Sequence, residues 1–88
     1  MNVEALKEDL RAEGFTHNYV WQDGPGAYYP EHTHPTVTAR VVLEGEVTVT
    51  SEGKTRTFRA GERFDVPAET IHSAKMGPNG CRYIIGEK

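Results

Sequence analysis

One cysteine, Cys81, is all that the 88 residues contain, so an internal disulfide is excluded and a reducing compartment is expected. No apolar run is long enough to span a bilayer, and the amino terminus carries no stretch resembling a signal peptide. The expectation is therefore a cytoplasmic protein without a membrane partner. Lys and Arg number ten and are scattered, and the net charge is −3, so no electrostatic footprint for nucleic acid is present. Linkers, repeats and low-complexity tracts are also missing, which leaves a single domain over 1–88. A chain this short buries only about 60% of the surface its unfolded form exposes, so its core is marginal and gains from a partner or a metal.

Helical sequence is scarce too. Asn2 can cap a helix with Glu4 in its first turn, Val3, Leu6 and Leu10 along one face, and Gly14 as the stop. From Phe15 onward FTHNYVW, TVTARVVL, EVTVT, KTRTFR, RFDVP, IHSAKM and CRYII are β-rich runs separated by the turn signals DGPG, EGE, SEGK, AGE, PAE and GPNG. With no helix available for parallel crossovers, roughly seven or eight short β-rich runs predict an all-β antiparallel sandwich or barrel of six to eight strands over 15–88, with the helix of 1–14 outside it.

Chemistry concentrates at PEHTH, residues 30 to 34. In a regular strand His32 and His34 point to one side, the arrangement a mononuclear metal needs; a histidine doublet in a polar turn is otherwise commonly solvated. Around it, GAYYPEHTH begins at Gly26, VLEG ends at Gly45, and GERFDVPAETIH runs from Gly61 through Pro67 to His72. Together these stretches resemble the two sequence motifs of the cupin superfamily, small double-stranded β-helix or jelly-roll barrels that commonly hold one metal. The resemblance covers residues 26 to 72 and implies His32, His34 and His72 as metal ligands. The chain departs from it twice: Thr38 stands where the first motif normally has glutamate, and Glu69 where the second has glycine.

Three neutral imidazoles without a carboxylate leave a divalent ion its full charge and open coordination positions, suited to anionic or thiolate ligands. Iron, zinc, nickel, manganese and copper all remain candidates. Thiol dioxygenases among the cupins are similar in using three histidines, an analogy confined to the ligand set. The expected function is a small metal-binding cupin, dioxygenase-like or isomerase-like if it is an enzyme, acting on a small polar or anionic molecule. The alternatives are a non-catalytic ligand-binding or sensing module, and a metal-free remnant.

Two strand phases are open after His34. In the family's register Thr38, Arg40 and Val42 face the interior, and the apolar row Val37, Ala39, Val41, Leu43 faces outward, most simply covered by a second copy in a homodimer. In the other register that row faces in and Arg40 faces solvent. An inward Arg40 could anchor a substrate carboxylate; its bland role is a salt-bridged strand arginine. Strand parity selects Tyr28 over Tyr29 for the side of His32, as a ligand-orienting phenol or as packing. Met76 and Cys81 are expected in the apolar wall. His17 is expected to be a hydrogen-bonded structural residue. Glu31 and Glu69 are candidate acceptors for the ring N–H groups of the metal-side histidines.

Overall fold

The computed structural model describes residues 1–88. Helix α1, Val3–Ala12, forms as its sequence dictates: the Asn2 side chain accepts from the Ala5 backbone N–H at 3.1 Å. Gly14 ends it at φ 100°, and the chain reverses with Phe15 N–H donating to the Leu10 carbonyl at 2.9 Å. The remaining chain supplies β1 (His17–Asp23), β2 (Tyr28–His32), β3 (Thr38–Ser51), β4 (Lys54–Arg59), β5 (Arg63–Val66) and β6 (His72–Glu87). All pairs are antiparallel, in the order β1-β6-β3-β4, with β2 also on β6 and β5 also on β3.

Six strands form, the lower end of the six to eight expected, because EGE and GPNG do not turn the chain. Each lies within a long strand, β3 or β6, at points where their mutual register shifts. Gly45 pairs with Cys81 there, and a Cβ at Gly45 would collide with the Gly80 carbonyl. With φ at 77° as well, that position accepts only glycine, which is why VLEG ends as it does.

The bulged region also resets strand phase. Val42 before it and Val47 and Val49 after it share one core with Phe58, Met76 and Tyr83. Arg40 and Val42 therefore face inward, as in the family's register. The opposite row, Ala39, Val41 and Leu43, is buried with Ile84 under Leu10 and Phe15, with Val3, Leu6 and Val37 at its border. The cover is α1 of the same chain, and this corrects the expectation that a second copy would supply it. Gly86 allows the close approach, since a Cβ there would meet Phe15 Cβ at 3.1 Å. Burial of Leu10 and Phe15 contributes about 1.5–3 kcal/mol for each side chain. Arg63 on β5 fixes the far end of the helix by pairing both its terminal nitrogens with the Glu13 carboxylate at 2.8 Å.

Candidate metal centre

His32 ends β2 and pairs in register with His72, which begins β6. His34 stands in the loop between β2 and β3, and its carbonyl accepts from the Glu69 N–H at 2.8 Å, so the β2–β3 and β5–β6 loops are tied at the site. Glu69 adopts φ 58°, the left-handed region, which explains why glycine suits this position in the motif. One potential ligand atom from each of His32, His34 and His72 lies within 4.8 Å of the others. Ligands 2.0–2.1 Å from a tetrahedral ion stand about 3.4 Å apart, so side-chain adjustments of roughly an ångström would close the set.

Hydrogen bonding prepares two of the rings. A carbonyl can only accept, so His32 Nδ1–H donates to the Pro30 carbonyl at 2.6 Å and His72 Nδ1–H to the Thr70 carbonyl at 2.9 Å. Each Nε2 then keeps a lone pair for a metal. Backbone carbonyls thus take the role expected for Glu31 and Glu69, whose side chains are exposed. His34 Nε2 is buried without any hydrogen-bond partner. A buried orphan of this kind is costly, and a metal ion would satisfy it. Burial, followed by the nearby Arg40 charge and the other imidazoles, holds the His34 pKa below its ordinary value. Burial likewise lowers that of His72, against the opposing effect of its bond to Thr70. Both rings are held in the neutral form that ligation requires.

The triad opens into a cavity of about 230 Å³. At about 30 Å³ for a water's share of liquid volume, it has room for some eight waters. Arg40 and Met76 line it. Arg40 donates from Nη1 to Thr38 Oγ1 at 2.7 Å. The chain's ion pairs, Arg59–Glu46, Arg63–Glu13, Arg63–Asp65 and Arg82–Glu44, leave it unpaired. Burial lowers its pKa, but a guanidinium stays charged in proteins.

Three other expected lining residues lie elsewhere. Thr38 is buried and does not itself line the cavity, but it meets Arg40, which does. Cys81 packs in the inner core, and burial pushes its thiol up to about 11, leaving it protonated and inert. Tyr28 is 60% exposed and outside the cavity, and Tyr29 lines it instead. The cause is an extra residue in β2: Tyr29 opposes Ala74 and His32 opposes His72, so three steps on one strand match two on the other and the parity inverts. His17 is exposed, its ring tilted against Tyr19 at 5.1 Å.

Sequence reasoning missed Asp23, read only as the start of a turn. Its carboxylate, in a residue only 8% exposed, accepts from Trp21 Nε1 at 3.1 Å, Tyr29 OH at 2.6 Å and Tyr83 OH at 2.5 Å. All three donors line the cavity, so one buried acid sets its aromatic wall. Burial and this carboxylate push the Tyr83 phenol far above its usual range, while for Tyr29 the bond to Asp23 is the leading cause of a rise.

Residues 19–84 match the family model described as a cupin domain. The chain belongs to the cupin family. Among solved structures this cupin is similar to a protein of unknown function from Rhizobium leguminosarum, with TM-score 0.75 and 21% identity over 80% of this chain and 66% of that one. An RmlC-like cupin from Shewanella frigidimarina gives TM-score 0.71 and 28% identity over 80% and 62% of the two chains. The DMSP lyase DddQ from Ruegeria pomeroyi gives TM-score 0.73 and 25% identity over 81% and 36%. The chain thus spans less than two thirds of the length of each of these structures. A comparison with curated proteins finds no match.

Proposed function

We infer that this cupin binds one divalent transition metal ion through His32, His34 and His72 and uses the open side of that ion, together with Arg40, to hold a small anionic molecule. The observation that carries the reading is the pairing of a buried, partnerless His34 Nε2 with a half-buried, unpaired Arg40 in one small cavity. The charge sum points the same way. With a divalent ion bound, the lining would carry three positive charges and no carboxylate, since the acids of the neighbourhood, Asp23 and Glu87, lie outside it and already accept from tyrosines. An anion is the complement.

A bound ion would supply Lewis acidity to whatever donor atom reaches it. The chain's own residues have narrower tasks: Arg40 offers bidentate donors to a carboxylate, and Trp21, Phe64 and Tyr83 exclude water from the ligand's body. The phenols of Tyr29 and Tyr83 are committed to Asp23 and kept protonated, so neither is poised as a general base at neutral pH. That favours binding, or chemistry centred on the ion, over side-chain acid–base catalysis.

Metal titration of chelated protein is the test. At a free metal concentration 100 times Kd the folded state gains about 2.7 kcal/mol, an upward Tm shift of roughly 10–20 °C for a domain this small. His32→Ala and His72→Ala should abolish both the shift and stoichiometric metal content. Unchanged content in both variants would overturn the assignment.

A further inference from the structure

The inner face of the sheet carries a second set of cations that the metal site does not explain. On β4, Phe58 is buried in the inner core, so by strand alternation Lys54 and Arg56 project from the same face. Pairing across β6, β3 and β4 gives rows: His72 opposite Ser51 opposite Lys54, and Ala74 opposite Val49 opposite Arg56. Neighbouring strands lie about 4.8 Å apart, so Lys54 stands about 10 Å from His72 on the same concave surface. A second cavity, of about 190 Å³, is lined by both cations and shares Val49, Phe64 and His72 with the lining of the first.

Both side chains are exposed, so neither carries a burial cost, but both line the second cavity beside the triad. The chain's four ion pairs leave Lys54 and Arg56 unpaired. Asp65, the acid in the second cavity, is bound to Arg63 at 2.8 Å. Arg56 is held over the Phe58 ring, 4.8 Å from its centroid, which orders the guanidinium without neutralising it.

We propose that the two cavities form one elongated site for a ligand with two anionic ends, one at the triad and Arg40, the other a carboxylate or phosphate at Lys54 and Arg56. This rests on the metal-and-anion reading above and extends it to the length and charge of the ligand. His72 lies at the junction of the two cavities, so the ligand passes the metal edge rather than ending there.

The experiment compares butyrate, glutarate and 3-phosphonopropionate as ligands of the zinc-loaded protein by calorimetry, in the wild type and in Lys54→Gln/Arg56→Gln. The dianions should bind roughly fivefold to tenfold more tightly than butyrate at low salt, as expected for two partly exposed charge contacts. The double variant should lose that preference while keeping its zinc content and its butyrate affinity. A preference for glutarate assigns the pole to carboxylates, and one for the phosphonate assigns it to phosphate groups. Equal affinity for all three probes, or a preference that survives the double variant, overturns the elongated site but leaves the metal reading intact. Absence of zinc or of any anion binding overturns the metal reading itself.

Discussion

Arg40 donates its hydrogen bond to Thr38, the residue standing where the cupin motif normally places a glutamate. The two peculiarities of the site are thus one. A glutamate at 38 would bring a carboxylate to Arg40 and, as in the family's motif, to an ion held by the triad; threonine brings none, so such an ion would share the cavity with an uncompensated guanidinium. Thr38→Glu should therefore strengthen metal retention against a chelator and weaken binding of a small carboxylate by about tenfold or more, the loss expected when a guanidinium's charge is already taken. Calorimetry with butyrate, beside metal content after dialysis, checks both halves. Unchanged carboxylate affinity would show that Arg40 is not the anchor.

Acid should destabilise the metal-free protein in a defined window. The folded state holds His34 and His72 below the ordinary value of 6.5. As pH falls through about 6.5, the unfolded chain takes up protons that the folded rings refuse, so the unfolded state binds more protons and stability declines with falling pH. The decline ends once the folded rings protonate as well. Each ring contributes at most about 1.4 kcal/mol per pH unit, less where solvent screens it. Urea melts in chelator at pH 7.5 and 5.5 should show the loss, and His34→Gln/His72→Gln should flatten it.

Asp23 predicts the largest polar effect on stability. Removing its carboxylate leaves the Tyr83 and Tyr29 hydroxyls and the Trp21 N–H without their acceptor, with Tyr83 fully inside the core. Asp23→Ala should cost about 2–3 kcal/mol, the range for hydrogen bonds to a charged group plus orphaned partners. Asp23→Asn, which keeps an acceptor, should cost less. Chemical denaturation measures both, and a smaller loss for alanine than for asparagine would refute the account.

The residues legible in the sequence are those whose spacing carries the information. His32, His34 and His72 sit in motifs with fixed offsets, and Asn2, Leu6, Leu10 and Gly14 state a helix unaided. Tyr29 was hidden because parity holds only in regular strands, and nothing local announces the extra residue before His32. EGE and GPNG looked like turns because glycine serves bulges and turns alike; their opposition across β3 and β6 is a long-range fact. Asp23 was masked by its neighbours Gly24, Pro25 and Gly26, which spell a turn whether or not the first residue also binds tyrosines 6 and 60 positions away.

The cover over Ala39, Val41 and Leu43 gives the last test, because it decides what the amino-terminal helix is for. Leu10 is 1% exposed and packs with Phe15 against that row and Ile84. Leu10→Ala should cost about 2–5 kcal/mol, as buried leucine truncations do. For a domain of this size, with total stability of about 0.05–0.15 kcal/mol per residue, that is a large fraction. The inner core and the histidines lie on the other face of the sheet, so the metal stoichiometry of the folded fraction should be unchanged. Loosening the helix also uncovers an apolar strand face, which should raise concentration-dependent self-association in sedimentation velocity. If the variant keeps wild-type stability and a wild-type sedimentation profile, α1 is dispensable, and the row it covers must be buried by something else.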